Sequence, residues 1–261
     1  MSLITSLRDQ YTGPHQKSIQ KYFGAATRFD GKAPVFDFPL TLLCFTNRCG
    51  SNMLAEYLRL TTNFTGLHEQ LNHDVVPRLA RQAGYDSFPN YVAGMASAKV
   101  TAAASFGFKA SWDQLLMLLR WNIPAMFSGL HILHIQRRDL LAQAVSFSIA
   151  AQTKRWNSLM EGEKPVPDYL FSDILDRLNG SSHGNRMIRQ ICCIYDLPRV
   201  EMYYEDLLAD PVGVLNAVHS QLGLSLRRFN LGQARLQRQA DHYNEAFIAR
   251  FKQDFIAHIS A

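Results

Sequence analysis

Short apolar runs alternate with longer amphipathic stretches along this chain, and the alternation sets out its elements. Residues 40–45, Leu-Thr-Leu-Leu-Cys-Phe, are nearly all apolar over a length that suits a buried strand. Residues 51–62 carry Met53, Leu54, Tyr57 and Leu58 at helical spacing and predict an amphipathic helix. The stretch 66–74, Gly-Leu-His-Glu-Gln-Leu-Asn-His-Asp, predicts a loop, and the small-residue-rich stretch 75–103 predicts helix. A second strand is expected at 106–111, a helix at 112–120, and a third strand at 130–135, where Leu-His-Ile-Leu-His-Ile is apolar and partly β-branched. Asp139 is placed to cap a helix running through 140–156. A polar helical region at 166–195, a fourth strand at 199–204, a helix at 211–222 and a loop then helix over 235–259 complete the pattern.

Strands alternating with helices predict an α/β protein: a central parallel sheet with helices on both faces, three layers deep, with helical insertions. Residues 1–35 are polar and punctuated by Gly13-Pro14 and Gly31. They are expected to be an irregular N-terminal extension to a domain spanning 36–261. No internal repeat or low-complexity tract interrupts that domain.

Strand 40–45 and helix 51–62 are joined by a tight polar turn, Thr46-Asn-Arg-Cys-Gly-Ser-Asn52. A strand–turn–helix of this kind points backbone N–H groups and the positive end of a helix dipole at one place, which favours a phosphate or sulfate. Arg48 adds a positive charge inside the turn.

Composition narrows the ligand. The net charge of +5 is modest and scattered, with no basic run of the kind that binds nucleic acid, so a small polyanion is the sharper expectation. The most apolar region, 115–135, is broken by Arg120, Asn122 and Pro124 and is not expected to span a membrane. The first residues lack the apolar core of a signal peptide. The four cysteines, Cys44, Cys49, Cys192 and Cys193, form neither a C-x-x-C pair nor a zinc-spaced cluster, so reduced thiols in a cytoplasmic protein and no metal are expected.

Several phosphate binders fail on these residues. A metal-dependent NTPase loop needs G-x-x-x-x-G-K-[ST], and this turn has one glycine and no lysine. No strand ends in the aspartate that would hold Mg²⁺, and residues 136–138 are Gln-Arg-Arg. The dinucleotide fingerprint G-x-G-x-x-G and the hydrolase elbow G-x-S-x-G are absent. An arginine-bearing loop suits transfer of a sulfuryl group, which carries less charge than a phosphoryl group, from 3′-phosphoadenosine-5′-phosphosulfate (PAPS). A nucleotide kinase with a degenerate loop and a non-catalytic 3′-phosphonucleotide-binding protein are the alternatives.

Together with the helix at 54–59, the turn resembles the 5′-phosphosulfate loop of bacterial PAPS-dependent sulfotransferases of the trehalose 2-sulfotransferase family. Further similar segments follow in the same order: Gly107-Phe-Lys-Ala-Ser-Trp112, Ile135-Gln-Arg-Arg-Asp-Leu-Leu-Ala-Gln-Ala-Val-Ser-Phe147 with Gln152, Thr153 and Trp156, Tyr204-Glu-Asp-Leu207, and Leu236-Gln-Arg-Gln-Ala-Asp241. The resemblance spans roughly residues 40–255 and implies the sulfotransferase fold, a homodimer, and transfer to a hydroxyl of a carbohydrate or glycolipid.

The resemblance also implies roles. Arg48 would lie against the 5′-phosphate and the transferring group, with the backbone N–H groups of Cys49, Gly50, Ser51 and Asn52 cradling that phosphate. The family usually has a hydroxyl residue in place of Asn52 and often serine in place of Cys49. Arg137 and Ser146 would hold the 3′-phosphate, and Arg238 would contact the nucleotide. Glu69 matches the family's general base, and the neighbouring His68 is the second candidate because imidazole titrates near neutrality unaided. Lys109 is expected to touch sulfate or acceptor. Trp112 and Trp156 either stack on a ligand or pack in the core.

Overall fold

In a computed structural model, residues 12–98, 105–157, 159–160, 166–226, 229–236 and 242–260 are described. They form five parallel strands, β1 (Leu40–Cys44), β2 (Phe64–His68), β3 (Ser105–Ala110), β4 (Leu130–Gln136) and β5 (Arg199–Tyr203), in the order β2-β3-β1-β4-β5. β1 lies in the middle: Leu42 pairs with Phe108 of β3 on one side and Ile132 of β4 on the other. All five of its residues are buried, as the unbroken apolar run requires of a strand covered on both faces.

Alternate residues feed two cores. On one face Leu40, Leu42, Phe106, Phe108 and Ile132 pack with α5 (Trp112–Arg120) and α7 (Phe171–Ile194). On the other face Leu43, Leu133 and Ile135 pack with α2 (Ser51–Leu60) and α9 (Pro211–Gln221). A smaller cluster joins α6 (Leu140–Thr153), α7 and α10 (His242–Ile259) through Ala144, Val145, Ile174 and Phe251. The three-layer α/β/α expectation holds. Asp139 caps α6 as its sequence position suggested, its Oδ1 accepting the Ala142 N–H at 2.9 Å.

Three expectations need correction. Residues 1–11 lie outside the described residues, and the rest of the N-terminal stretch is not irregular throughout: α1 (Pro14–Phe23) buries Ile19 and Phe23 in the first core. These two residues are four apart, one helical turn, so one narrow apolar stripe suffices in an otherwise polar segment. The loop at 66–74 begins as strand, because β2 runs to His68. Its signal is masked by Gly66 and Leu67, both at positive φ, where the pairing with β3 shifts register. The expected helical stretch 75–103 is two helices, α3 (Val75–Ala83) and α4 (Phe88–Ser97), separated by Gly84 in the left-handed conformation, with 99–103 outside the described residues. The short helix α8 (Tyr204–Ala209) follows β5 directly.

The sheet order changes direction at β1. Its onward connection leads to β2 on one side, while β4 leads to β5 on the other. A crevice therefore opens past the carboxyl ends of β1 and β4, where open α/β sheets bind ligands.

Candidate functional site

The turn after β1 enters α2 through two left-handed residues, Arg48 at φ 67° and Gly50 at φ 87°. At Gly50 a side chain is excluded as well as strained, since a Cβ would sit 2.3 Å from a ring carbon of Tyr204. The backbone thus turns sharply and leaves the first N–H groups of α2 facing the crevice, unpaired within the helix. α6 holds the turn from beneath. Gln143, fully buried, donates its amide to Thr46 Oγ1 at 2.9 Å and to the Asn47 carbonyl at 2.8 Å.

Arg48 reaches across to α6 and beyond. Its Nε donates to Ser146 Oγ at 3.1 Å and its Nη1 to the Trp156 carbonyl. Burial, and after it the nearby Arg137, lower the pKa of its guanidinium. Arg137 leaves the end of β4 and lies 5.2 Å from the Tyr204 ring centre. Its Nε is buried and has no hydrogen-bond partner. Two guanidiniums placed together in this way, one with an orphaned donor, are suited to an anion between them. A cleft of about 310 Å³ is lined by Arg48, Gly50, Ser51, Asn52, Arg137, Ser146 and Tyr204, with Asn244, Glu245 and Ile248 of α10 on its far wall.

Lys109 is the other cation. It is 2% exposed and lies in β3, the second strand from the edge, so it is not an edge-strand lysine. Its ammonium donates to Glu69 Oε1 at 2.5 Å and Asn52 Oδ1 at 2.5 Å and lies 4.2 Å from the Phe45 ring centre. Burial lowers its pKa and the Glu69 carboxylate opposes that shift. The register shift in β2 delivers Glu69 to this position, because a bulge re-aims the side chains that follow it.

Glu69, Phe45, Asn47 and Trp156 also line a second cavity of about 760 Å³, so Glu69 stands where the two spaces meet. His68, one residue earlier, lines neither; it lines a neighbouring cleft with Arg59 and Leu67 that Asn52, Glu69 and Lys109 also border. The candidates thus separate by geometry. Arg48, Gly50, Ser51, Asn52, Arg137 and Ser146 come together on one cleft, Glu69 and Lys109 bridge its edge, and His68 lies on the adjoining cleft that Glu69 and Lys109 also line. Cys49 is fully buried, does not line the cleft, and has its thiol pKa raised, chiefly by that burial. Arg238 falls in 237–241, outside the described residues. Trp156 reaches the cleft and both tryptophans reach the larger cavity.

Tyr204 and Gln143 did not stand out as site residues from sequence, although each lies in a segment that carried the family resemblance. Their roles depend on the packing of β5 and α6 against the turn, which spacing alone does not convey.

Glycine and arginine in the turn, with cationic side chains arriving from β3 and β4, set this crevice apart from a P-loop lysine site, and with the family match the chain is a sulfotransferase of the α/β class. The chain belongs to the Stf0 sulphotransferase family, whose model matches residues 41–254. Its fold is shared with the sulfotransferase domain from the curacin biosynthetic pathway, at 12% identity and a TM-score of 0.52 over 83% of this chain and 98% of that one. Sulfotransferase STF9 from Mycobacterium avium matches at 13% identity and a TM-score of 0.50 over 87% of this chain and 69% of that one. No curated protein sequence matches. The four cysteines are all free, and no described helix is long and apolar enough to cross a membrane.

Proposed function

We propose that this sulfotransferase uses PAPS as donor and sulfates a hydroxyl of a carbohydrate or glycolipid, leaving 3′,5′-ADP. The observation that carries the donor assignment is the buried, unpartnered Nε of Arg137 beside Arg48 in a cleft that begins at the N-terminus of α2. That arrangement fits a nucleotide carrying two separate phosphates. The turn's N–H groups and Arg48 would hold the 5′-phosphate, while Arg137 and Ser146 would hold the 3′-phosphate.

PAPS, when bound, supplies the sulfuryl group. Glu69, at the junction with the larger cavity, would take the proton of the acceptor hydroxyl. Arg48 would offset negative charge gathering on the departing 5′-phosphate, and Lys109 would hold Glu69 and Asn52 in place at the point of transfer. The family likeness extends this reading to a homodimer, and the cysteine pattern extends it to the cytoplasm.

The test is transfer of label from PAPS, labelled in the sulfuryl group, to a mixture of soluble sugars and extracted glycolipids. The reading expects a labelled product and 3′,5′-ADP, with turnover reduced about 10²-fold or more in Glu69→Gln. Full activity in that variant would remove Glu69 from its role. No transfer to any acceptor, with PAPS left unbound, would remove the donor assignment.

A further inference from the structure

Both oxygens of Glu69 receive a donor. Lys109 takes Oε1, and the side-chain amide of Asn72 donates to Oε2 at 3.4 Å. Asn72 is held in turn, because its Oδ1 accepts the Nε2 donor of Gln114 at 3.0 Å. Gln114 is 2% exposed and is the third residue of α5. Its Oε1 accepts the Ser111 N–H at 2.9 Å, the glutamine bond of the capping box that starts that helix. Asn72, Gln114 and Ser111 all line the larger cavity, so this series of bonds runs along its wall to Glu69.

Its fixed end dictates the direction of every bond. A backbone N–H can only donate, so the atom of Gln114 that meets Ser111 is the amide oxygen and the atom that meets Asn72 is the amide nitrogen. That nitrogen can only donate, so Asn72 turns its oxygen to Gln114 and its NH2 to Glu69. The last donor thus meets a carboxylate oxygen, and an ionised carboxylate only accepts. The series suits the form of glutamate that takes a proton. Other bonds pin the backbone of the same loop: Tyr91 of α4 donates to the Gln70 carbonyl at 2.6 Å, and Ser18 of α1 to the His73 carbonyl at 3.1 Å. The Asn72 carbonyl accepts the N–H groups of Val75 and Val76, both at 3.0 Å, where α3 begins. None of these backbone bonds sets the direction of the half-solvated Glu69 side chain, whereas the amide of Asn72 does.

We propose that Asn72 and Gln114 are positioning residues for the base: Asn72 holds the second oxygen of Glu69, and Gln114 fixes the direction in which Asn72 donates. With one oxygen on Lys109 and the other on Asn72, the carboxylate meets the acceptor hydroxyl in one orientation, which a long solvated side chain would not keep unaided. Orientation of this kind lowers the barrier to reaction without adding affinity for either substrate. The proposal deepens the sulfuryl-transfer reading above and rests on Glu69 being the base.

The experiment is a double-variant cycle on the full chain, with turnover read as label transfer from PAPS to the sugar or glycolipid that takes label in the assay above. Asn72→Ala should lower kcat about tenfold, the scale of one hydrogen bond to a charged group, with calorimetric affinity for 3′,5′-ADP unchanged. Asn72→Asp keeps the shape and the contact with Gln114 but has no amide to donate, and should lose at least as much. Gln114→Met should lower kcat in the otherwise unaltered chain and lower it no further in Asn72→Ala, while its effect on melting temperature, through the lost cap, persists in both. Equal losses of kcat in the two backgrounds would make Gln114 a helix cap alone and overturn the proposal, as would full turnover in Asn72→Ala or Asn72→Asp. Glu69→Gln separates the two readings. Full activity there removes the base itself, whereas a strong loss there beside an active Asn72→Ala removes only the positioning residues. If no acceptor takes label, hydrogen exchange of the free chain decides: Gln114→Met should speed exchange at Val75 and Val76, which Asn72 holds, and unaltered exchange there overturns the proposal.

Discussion

Lys109, almost wholly buried, donates to the carboxylate of Glu69 at 2.5 Å. One member of the pair is sealed between β1 and β2 while the other is 41% exposed at the mouth of two cavities. A buried ion pair is weak support for stability, since desolvation offsets its attraction, and here the partner left behind by a change at Lys109 is the solvated carboxylate of Glu69. The presence of the pair points to work at the site. Lys109→Met should keep or raise the melting temperature while lowering kcat about 10²-fold, the scale of misplacing a group that must be held in line for reaction. Calorimetric melting and turnover of the same preparation test this together. Parallel losses of stability and activity would make the lysine a structural element.

Gly50 cannot be exchanged without moving Tyr204. Gly50→Ala places a Cβ both at positive φ and 2.3 Å from a Tyr204 ring carbon. The left-handed conformation alone costs about 1–2 kcal/mol, and displacing the ring would disturb the contact between Tyr204 and Arg137. Denaturant unfolding should show a loss of at least that size, and donor affinity should fall with it. Unchanged affinity would separate the turn's geometry from nucleotide binding.

Gln143 is expected to act through the turn and not on any ligand, since its amide is spent on Thr46 and Asn47. Gln143→Leu removes both bonds and leaves a buried carbonyl unpaired, at a cost of about 1–3 kcal/mol. Its signature should be a raised KM for the donor with KM for the acceptor unchanged. Equal effects on both would indicate general loosening of the core.

Much of this arrangement could be read from the sequence. The strands β1, β3, β4 and β5 were legible because each is a compact apolar run, and the turn after β1 was legible from its arginine and glycine. The cap at Asp139 followed from its place before an apolar periodic stretch. β2 was not legible, because Gly66 and Leu67 break its pattern at the very point where the bulge re-aims Glu69. α1 escaped because only Ile19 and Phe23 of its ten residues are buried. Glu69 was singled out by resemblance as the candidate base. Its pairing with Lys109, 40 residues away, needed the sheet order.

His134 gives the fold a pH dependence remote from the cleft. The ring is fully buried in β4, its Nε2 donates to Asn185 Oδ1 at 3.3 Å, and its Nδ1 has no hydrogen-bond partner. Burial lowers its pKa from 6.5 to about 4. The folded protein therefore keeps a neutral imidazole where the unfolded chain would be protonated. This contribution to stability is present in full above pH 6.5 and is lost as pH falls from 6.5 towards 4, amounting to about 3 kcal/mol. Melting temperatures across that window should fall, and fall less steeply in His134→Gln. Identical slopes would assign the acid sensitivity to carboxylates instead.

The central claim is that the crevice between β1 and β4 recognises a nucleotide by two phosphates. Calorimetric titration with 3′,5′-ADP, against 5′-AMP and Mg-ATP as controls, tests it most directly. The account predicts that 3′,5′-ADP binds at least about tenfold more tightly than 5′-AMP, and that Arg137→Ala abolishes most of this difference while leaving 5′-AMP binding largely intact. Indifference to the 3′-phosphate, or a preference for Mg-ATP, would contradict it.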